Sequence, residues 1–572
     1  MFTKRCLSNL KLQKHLSISR FSTTTNPPPK DLLELLFTKI VKERKSPCFE
    51  VYGSQIEILT SPEDYYLALH KLALESQFRI NMSALYLGTG TKELFFLERI
   101  SRRLEENPEI KFNMILDYSR GRRIDKEGKS SENMLLSLLK ANFSHKFLRA
   151  ALFKQPSWMP RADTGPIRML SEVLGVHHMK AHVFDNNVLI TGANLSEDYF
   201  TNRQDRCYII RQSPRVADYF DDLLNALSNC SYHICAGEPK VQKFYPEVSN
   251  KNKFKNTLAH HLKLFRWAQK TDIPVGKELE CDEFFNGEQQ GHPHALLSYD
   301  GQDQDLKETV PKHKKPQKDV EEEANEFSKD SKQEDKKKVR DLIQKVNAFS
   351  SQKSEPRKKG DLGGRVFIFP ALQFNMVNIR EDEELFVQIL EHLTKKEGAK
   401  IDFCSGYLNI MDSYLNPIKS SKAEVNLLTA APSANGFYKA GFVKKWIPYF
   451  YREYEKRILK KSKGNDSVKL YEYQRKNWTY HAKGAWFYEK GNDPNLTVIG
   501  SSNYSYRSNR RDTEAQLYIY SQCDDLNARM KEEAEQMFSS AQRVTLDDIK
   551  KDKDVKLGSR TYFLSKRLKT LF

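Results

Sequence analysis

Residues 178–185 read HMKAHVFD, so that His178 and Lys180 stand at the start of an apolar, strand-like run that ends at Asp185. A Gly-Ala-Asn turn follows at residues 192–194. A single His-x-Lys pair is weak evidence of a functional site, because both residues are common on protein surfaces. The indication becomes much stronger when the same set occurs twice in one chain.

The second half of the chain repeats this set in the same order. NRQD, ending at Asp205, follows the first turn; the second set consists of His481, Lys483, a GSSN turn at residues 500–503, NRRD at residues 509–512 and Glu514 just beyond. The second copy has Tyr488 where the first has its aspartate, and residues 489–495 are inserted before its turn. Two such sets predict a duplicated half-site.

The residue types in the two sets are those that phosphodiester exchange needs. In-line displacement at phosphorus requires a nucleophile, an acid for the leaving oxygen and cationic groups around the non-bridging oxygens. One neutral imidazole attacks phosphorus, and the other, protonated, gives its proton to the departing group. We expect the accompanying side chains to donate hydrogen bonds to the phosphoryl oxygens: Lys180, Lys483, Asn194, Ser501 and Asn503. The scheme requires no metal ion or other cofactor.

Carboxylates are also available near each predicted histidine. A carboxylate beside an imidazole fixes its tautomer and raises its basicity, and the candidates are Asp205, Asp512 and Glu514. We predict that His178, in the more complete copy, is the nucleophile. His481 is then the general acid, which later deprotonates the acceptor.

The two sets resemble the signature of the phospholipase D superfamily, HxKxxxxD followed by a G-S-x-N-type turn. The first copy matches this signature almost fully, whereas the second lacks the motif aspartate. The resemblance implies two half-sites, a covalent phosphohistidine intermediate and no obligatory metal. It also makes Asp185 a candidate catalytic residue.

Longer sequence motifs in both halves are similar to one family within that superfamily, the mitochondrial-type phosphatidylglycerophosphate synthases. The motifs are LYLGTG at residues 85–90, ILDYSRG at 115–121, APSANG at 431–436 and WTYHAKG at 478–484. The resemblance covers most of residues 50–245 and 363–545. It implies transfer of a phosphatidyl group from CDP-diacylglycerol to glycerol 3-phosphate with release of CMP, the committed step towards cardiolipin.

The same resemblance implies a mixed α/β fold of two lobes. Each lobe is expected to be a mixed β-sheet flanked by helices, with a pseudo-twofold axis between the lobes and the active site in the cleft. Apolar runs around the two His-Lys pairs agree with this expectation. Residues 182–184 and 188–191 are predicted to form a strand pair, and residues 485–488 and 496–499 are predicted to repeat it.

Composition divides the chain into six predicted segments. They are a mitochondrial transit peptide (1–26), a linker with an amphipathic helix (27–49), the first lobe (50–280), a charged disordered insertion (281–362), the second lobe (363–545) and a basic amphipathic C-terminal tail (546–572). The insertion has few large apolar residues and cannot bury enough surface to fold. A charged helix remains possible within residues 321–349, where apolar residues recur at helical spacing.

Charge and targeting signals point to a mitochondrial enzyme with an anionic partner. Residues 1–26 are basic, rich in Ser and Thr and free of acidic residues, as in transit peptides; a disordered basic tail is the alternative. Lys and Arg number 93 against 75 Asp and Glu, a net charge of +18, which fits phosphorylated substrates, an anionic membrane surface or nucleic acid. With the family resemblance we expect the first two partners and no nucleic acid. The eight cysteines show no zinc or disulfide spacing.

The lipid substrate is expected to be met at a membrane surface, peripherally on the inner membrane. No stretch approaches the roughly 20 apolar residues that span a bilayer. Three segments have amphipathic or aromatic-basic character, at residues 31–42, 444–461 and 562–572. Because most such stripes pack on a core, we expect core packing for the first two and leave both possibilities open for the third.

Other functions would use similar residues. A phospholipase D-type hydrolase would use water as the acceptor, and a cardiolipin synthase would use a second lipid. A tyrosyl-DNA phosphodiesterase would need aromatic contacts to a single strand and nuclear targeting. A non-catalytic lipid-binding scaffold is the non-enzyme alternative, and the retention of both His-Lys pairs argues against it.

Overall fold

The hairpin around the first His-Lys pair forms as the sequence predicts. Ala181–Phe184 and Asn187–Thr191 pair antiparallel across a tight turn in which Asp185 has a φ of 51°. Lys483–Tyr488 and Leu496–Gly500 form the corresponding hairpin in the second half of the chain. Each hairpin lies inside a larger β-sheet.

A computed structural model describes most of the chain outside its ends and several internal segments. The described residues are 29–44, 46–142, 144–155, 175–235, 251–269, 333–351, 363–436, 438 and 447–551. The predicted transit peptide and the C-terminal segment 562–572 lie outside them, as do residues 281–332 of the predicted insertion.

Most of the described strands form two large mixed sheets, and Arg203–Gln204 and Thr479–Tyr480 form a separate parallel pair. In spatial order, the first contains Tyr232–His233, Leu148–Phe153, Lys111–Asp117, Arg79–Ala84, Ala181–Phe184, Asn187–Thr191, Cys207–Ile210 and Ile56–Leu59. The second contains Phe49–Tyr52, Arg365–Phe374, Glu514–Ser521, Leu496–Gly500, Lys483–Tyr488, Lys400–Ser405, Glu424–Ala430, Val468–Tyr473 and Ala541–Val544, with Ile379–Arg380 beside Arg365–Phe374.

The two sheets repeat the same internal plan. In each, three neighbouring strands are parallel and the next three are antiparallel, in the same chain order. The equivalent strands Asn187–Thr191 and Leu496–Gly500 contact each other, and one hydrophobic cluster contains residues of both sheets. Contact between equivalent elements is the arrangement of a pseudo-twofold axis. The predicted mixed α/β fold is confirmed.

Helices flank both sheets. The α-helices of the described residues are Leu32–Leu36, Pro62–Glu75, Thr91–Glu106, Tyr118–Gly121, Ser131–Ala141, Glu197–Thr201, Pro214–Ser228, Lys251–Ala268, Gln333–Ser351, Glu381–Leu393, Asp412–Lys419, Ile447–Lys461, Tyr506–Arg510, Asp524–Ser539 and Leu546–Lys551. Local signals set their ends. The helix Pro62–Glu75, for example, follows Ser61, whose hydroxyl accepts the N–H of Asp64 at 3.1 Å, and proline occupies its first position.

The first lobe begins later than the predicted boundary at residue 50. Strand Phe49–Tyr52 pairs with Arg365–Phe374 in the second sheet, and helix Leu32–Leu36 packs in the core of the second lobe. Ile56–Leu59 is the earliest strand of the first sheet. The boundary prediction was wrong because the edge of a distant sheet can accept a strand from anywhere in the chain, and composition does not record that pairing.

Part of the charged insertion is folded. Gln333–Ser351 forms a helix against the first lobe, with Ile343 and Val346 buried and Arg99 donating to Asn347 at 3.0 Å. The prediction of disorder from 281 to 362 does not hold for this segment, where the alternative of a charged helix within residues 321–349 agrees with the structure. Its few apolar residues lie on one helical face, and this is enough to dock the helix.

Two of the three candidate membrane segments have apolar residues in the core. The leucines of Leu32–Leu36 are buried, and so are Phe450 and Ile458 of the helix Ile447–Lys461. The predicted core packing is confirmed for these residues. Across the described ranges, no helix has both the length and the apolar character needed to cross a bilayer.

A buried ion pair joins the two lobes. Arg206 of the first lobe donates two hydrogen bonds of 2.9 Å to Glu533 of the helix Asp524–Ser539, and its guanidinium lies 3.9 Å from the ring centre of Trp486. Glu533 also accepts hydrogen bonds from Tyr208 and Trp486. The Arg206 and Glu533 side chains are 0% and 1% exposed, so each depends on the other for compensation of its charge.

Removal of one member of this pair should destabilise the protein strongly. In Glu533→Ala, Arg206 stays charged and buried without its partner, and we expect the free energy of unfolding to fall by about 3–5 kcal/mol. The matched control is Asp525→Ala on the same helix, which breaks an exposed ion pair with Arg529 and should cost less than about 1 kcal/mol. Denaturant unfolding measures both; equal losses would contradict the importance of burial.

Candidate active site

Each candidate histidine lies where its lobe pairs with the other one. Before His481 a short parallel ladder joins the lobes, and the N–H of His481 donates to the carbonyl of Gln204 at 2.8 Å. On the other side, His177 pairs with Thr513, and the N–H of His178 donates to the carbonyl of Thr513 at 3.0 Å. Both histidines are therefore held by the backbone of the opposite lobe.

The imidazoles are oriented by carboxylates that also come from the opposite lobe. Nδ1 of His178 lies 3.0 Å from both carboxylate oxygens of Glu514, and Nδ1 of His481 lies 2.6 Å from Oδ2 of Asp205. A carboxylate at Nδ1 keeps a proton on that nitrogen and leaves Nε2 for chemistry. Neither half-site is complete without the other lobe.

The stretches NRQD and NRRD, which match in sequence, do not match in space. The two backbone pairings make Gln204 equivalent to Thr513, and therefore Asp205 equivalent to Glu514. The apparent alignment of Asp205 with Asp512 was wrong by two residues. Asp512 is instead the spatial counterpart of Arg203, so the equivalent positions beside the two histidines carry opposite charges.

Asp512 has a different environment from the other two candidate carboxylates. Its Oδ1 accepts the N–H of Val176 at 2.9 Å, and its Oδ2 lies 3.2 Å from Nε of Arg507. Burial raises the pKa of Asp512, against the lowering effect of Arg507 and His178. The contacts of Asp512 hold the loop before His178, while Glu514 is the carboxylate at the imidazole.

Both lysines are buried beside the two histidines and their carboxylates, and we call these six residues the catalytic cluster: His178, Lys180, Asp205, His481, Lys483 and Glu514. Nζ of Lys180 donates to the carbonyl of His178 at 2.6 Å, and Nζ of Lys483 donates to the carbonyl of Gly192 at 3.2 Å. Lys483 is also 2.7 Å from Nδ1 of His481. Because that nitrogen holds at most one proton, it accepts from Lys483 only when it is not donating to Asp205.

The first turn contacts Lys483 through the carbonyl of Gly192, and both turns contribute buried polar atoms. Asn194 donates to the hydroxyl of Tyr199 at 3.0 Å. Among the described residues, the Oδ1 atoms of Asn194 and Asn503 are buried without a hydrogen-bond partner. Ser501 is buried close to Glu514 and lowers the pKa of that carboxyl. A Cβ at Gly192 would collide with Asp205 and Lys483, so this turn needs glycine.

Asp185 lies outside the catalytic cluster. Its carboxylate accepts the backbone N–H groups of Gln77, Phe78 and Arg79 at 2.7–2.9 Å, at the far end of the hairpin strand from Lys180. These contacts fasten the hairpin turn to the start of the strand Arg79–Ala84. The catalytic role predicted for Asp185 is replaced by a structural one, which explains how Tyr488 can take the corresponding position in the second copy.

Burial controls the protonation of the two histidines. It lowers the pKa of His178 well below its usual value and that of His481 to about 3, and the charges of Lys180 and Lys483 act in the same direction. Both imidazoles are therefore neutral at pH 7. A bound phosphodiester brings negative charge that favours an imidazolium, so the substrate itself would help to protonate the acid.

Glu514 should govern the acidic side of the pH profile. Burial raises its pKa from 4.5 to about 7, and only the ionised carboxylate supplies the negative charge that stabilises the positive charge developing on His178. We therefore expect kcat/KM to fall as the pH drops below about 7. Glu514→Gln should have lower activity and no such decline. A wild-type profile that stays flat down to pH 5 would contradict this assignment.

Sequence reasoning did not single out the aromatic wall beside His481. The rings of Tyr199 and Tyr407 approach the His481 ring edge-on, with centroids at 5.2 and 5.6 Å, and the guanidinium of Arg203 lies over Tyr199 at 4.8 Å. Tyr407 stacks on Tyr451 at 5.3 Å. The spacing of the two His-Lys sets marks neither tyrosine, and Tyr199 and Tyr407 come from different lobes.

Comparisons agree with the fold. A family model described as "Cardiolipin synthase, PLD-like domain" matches residues 389–538. The crystal structure of phosphatidylserine synthase from Haemophilus influenzae Rd KW20 is similar with a TM-score of 0.59 and 16% identity, over 92% of this chain and 97% of that one. A duplicated mixed sheet with a His-Lys pair from each half defines a protein of the phospholipase D-like class.

Sequence relatives give the family. The mitochondrial CDP-diacylglycerol–glycerol-3-phosphate 3-phosphatidyltransferase of Bos taurus is 30% identical over 510 residues, which cover 86% of this chain and 79% of that protein. The Saccharomyces cerevisiae enzyme of the same name is 28% identical and covers 98% of this chain and 97% of its own length. The chain belongs to this family of transferases of phospholipid biosynthesis, as predicted.

Proposed function

We propose that this chain transfers the phosphatidyl group of CDP-diacylglycerol to glycerol 3-phosphate through a covalent intermediate on His178. The products are phosphatidylglycerophosphate and CMP. The observation that carries the proposal is that each imidazole is paired through Nδ1 with a carboxylate of the opposite lobe, His178 with Glu514 and His481 with Asp205. This pairing leaves both Nε2 atoms available to react. The names of the relatives supply the substrates.

In the first step, Nε2 of His178 bonds to the phosphorus of the phosphatidyl group. The bond from that phosphorus to the CMP oxygen breaks, and His481 gives the Nε2 proton to the departing oxygen. Asp205 stabilises the His481 imidazolium before transfer, while Glu514 stabilises the charge that develops on His178. Lys180, Lys483, Asn194, Ser501 and Asn503 donate hydrogen bonds to the phosphoryl oxygens.

In the second step, neutral His481 takes the proton of a glycerol 3-phosphate hydroxyl. The oxygen bonds to phosphorus, the bond to His178 breaks, and its electron pair returns to Nε2. Charge asymmetry supports this division of labour. Asp512 lies beside the nucleophile, where positive charge develops, and Arg203 lies beside the acid, where negative charge develops on the leaving oxygen.

The chain is further proposed to act peripherally on the mitochondrial inner membrane, in cardiolipin biosynthesis. The Bos taurus relative is named as a mitochondrial enzyme, residues 1–26 have the composition of a transit peptide, and the net charge of +18 suits an anionic surface. Deletion of residues 562–572 is expected to weaken binding to cardiolipin-containing liposomes and to spare activity on detergent-dispersed substrate. Unchanged liposome binding would rule out this segment as the contact.

The acceptor is tested by product analysis. Purified protein is incubated with CDP-diacylglycerol in the presence or absence of glycerol 3-phosphate, and the lipid products are identified by mass. We expect CMP release that depends on glycerol 3-phosphate and yields phosphatidylglycerophosphate. Phosphatidic acid formed regardless of the acceptor would indicate a hydrolase, and cardiolipin formed from added phosphatidylglycerol would indicate a cardiolipin synthase.

A further inference from the structure

The two half-sites differ in charge at one equivalent position. Arg203 stands one residue before the backbone partner of His481, and Asp512 occupies the same position relative to His178. The chemistry expected on the two sides also differs. On the His178 side, only the imidazole nitrogen approaches phosphorus. The His481 side must hold the group that leaves phosphorus and then the acceptor that attacks it.

Arg203 is built into the wall around His481. Its Nε donates to Thr479 at 3.0 Å, one terminal nitrogen lies 3.1 Å from Asp198, and its plane covers Tyr199. The side chain is 15% exposed, whereas Asp198 is 62% exposed. A guanidinium has five N–H donors, and the two polar contacts occupy the Nε–H and one side of the fork.

The opposite lobe closes around the same guanidinium. A Cβ at Gly436 would stand 3.1 Å from the Nη2 atom of Arg203 and 3.8 Å from the hydroxyl of Tyr407, and Tyr407 itself touches His481 edge-on. Arg203 is therefore a cation in a fixed position over Tyr199, whose ring also contacts the imidazole of the predicted acid. Arginine in such a setting recognises phosphate through parallel N–H donors.

In-line displacement determines what Arg203 would meet. CMP leaves from the side opposite His178, and the acceptor must attack the phosphohistidine from that same side. On the proposed function, both of these groups carry a phosphate monoester, and the competing nucleophile, water, does not. The His481 side thus needs an anion-binding group that the His178 side does not need.

We propose that Arg203 binds the phosphate monoester of the group on the His481 side, that of CMP or of glycerol 3-phosphate, and so favours the phosphorylated acceptor over water. This inference rests on the proposed function. It makes Arg203 a specificity-determining residue. Its loss should reduce the preference for glycerol 3-phosphate over other acceptors more than it slows formation of the phosphohistidine.

The test compares acceptors on one enzyme. Wild type and Arg203→Gln are supplied with saturating CDP-diacylglycerol and with glycerol 3-phosphate or glycerol, and the partition between transfer and phosphatidic acid is measured. We expect the preference for glycerol 3-phosphate over glycerol to fall by about 10- to 100-fold, the size of a lost charged hydrogen bond. Arg203→Lys should restore part of it, and inhibition by CMP separates binding of CMP from binding of the acceptor.

Arg211→Gln is the matched control, because Arg211 pairs with Glu57 at the edge of the first sheet, away from the cluster. Unchanged acceptor preference together with unchanged CMP inhibition in Arg203→Gln would overturn the inference. Equal losses with glycerol 3-phosphate, glycerol and water would also overturn it, since Arg203 would then only position His481. Failure of the wild type to form phosphatidylglycerophosphate would instead refute the proposed function.

Discussion

Replacement of His178 by Gln is expected to abolish transfer, with a loss on the order of 10⁶-fold. No phosphorus–nitrogen bond can form at that position, so neither CMP release nor exchange of labelled CMP into CDP-diacylglycerol should be detected. His481→Gln should lose less, on the order of 10²–10⁴-fold, because it removes proton transfer but keeps the nucleophile.

The exchange assay separates these roles without any acceptor. Exchange of CMP reports the first step alone, so residual exchange in His481→Gln but none in His178→Gln would agree with the assignment. The reverse pattern would make His481 the nucleophile. Circular dichroism of both variants checks that the buried glutamine has not unfolded the protein.

Asp205→Asn should lower kcat on the order of 10⁴-fold, although only one atom changes. Oδ1 of Asp205 accepts the N–H of Arg206 at 2.9 Å, so the new amide nitrogen must take the place of Oδ2 beside His481. It then donates to Nδ1 and moves the ring proton to Nε2. The acid loses its compensating charge, and the base of the second step is blocked.

Asp512→Asn is the comparison for this variant. Asp512 is buried in the same region but bonds to Val176 and Arg507 rather than to an imidazole, so we expect a much smaller loss of kcat. Steady-state rates at pH 8 measure both variants. Equal losses would mean that the two carboxylates act as the similar NRQD and NRRD stretches suggest, and that the crossed contacts are not important for catalysis.

Local sequence predicted the parts of this site that lie within one hairpin. His178, Lys180 and the turn at Asn194 follow one another along two adjacent strands, so their proximity depends only on strand alternation and a short turn. The repeat at His481 and Lys483 then predicted two equivalent lobes.

Contacts between the lobes could not be read in the same way. Nothing local links Asp205 to His481 or Glu514 to His178, and the sequence offered Asp205, Asp512 and Glu514 as candidates without assigning any of them to a particular histidine. The place of the strand Phe49–Tyr52 in the second sheet could not be predicted for the same reason. Each depends on a pairing between distant segments, which side-chain periodicity does not specify.

Asp185 illustrates a different limit. It belongs to the motif because its position is structurally demanding, with a positive φ and three backbone N–H groups to accept. A motif marks residues that are required, but it does not distinguish a requirement of folding from one of chemistry.

The most direct test of the two-histidine account is to locate the covalent adduct. Full-length protein is mixed with CDP-diacylglycerol without glycerol 3-phosphate, quenched at alkaline pH, where phosphohistidine persists, and digested for mass analysis of the peptides. The account predicts a phosphatidyl group on His178 and an unmodified His481. An adduct on His481, or active enzyme that exchanges CMP with neither histidine modified, would contradict it.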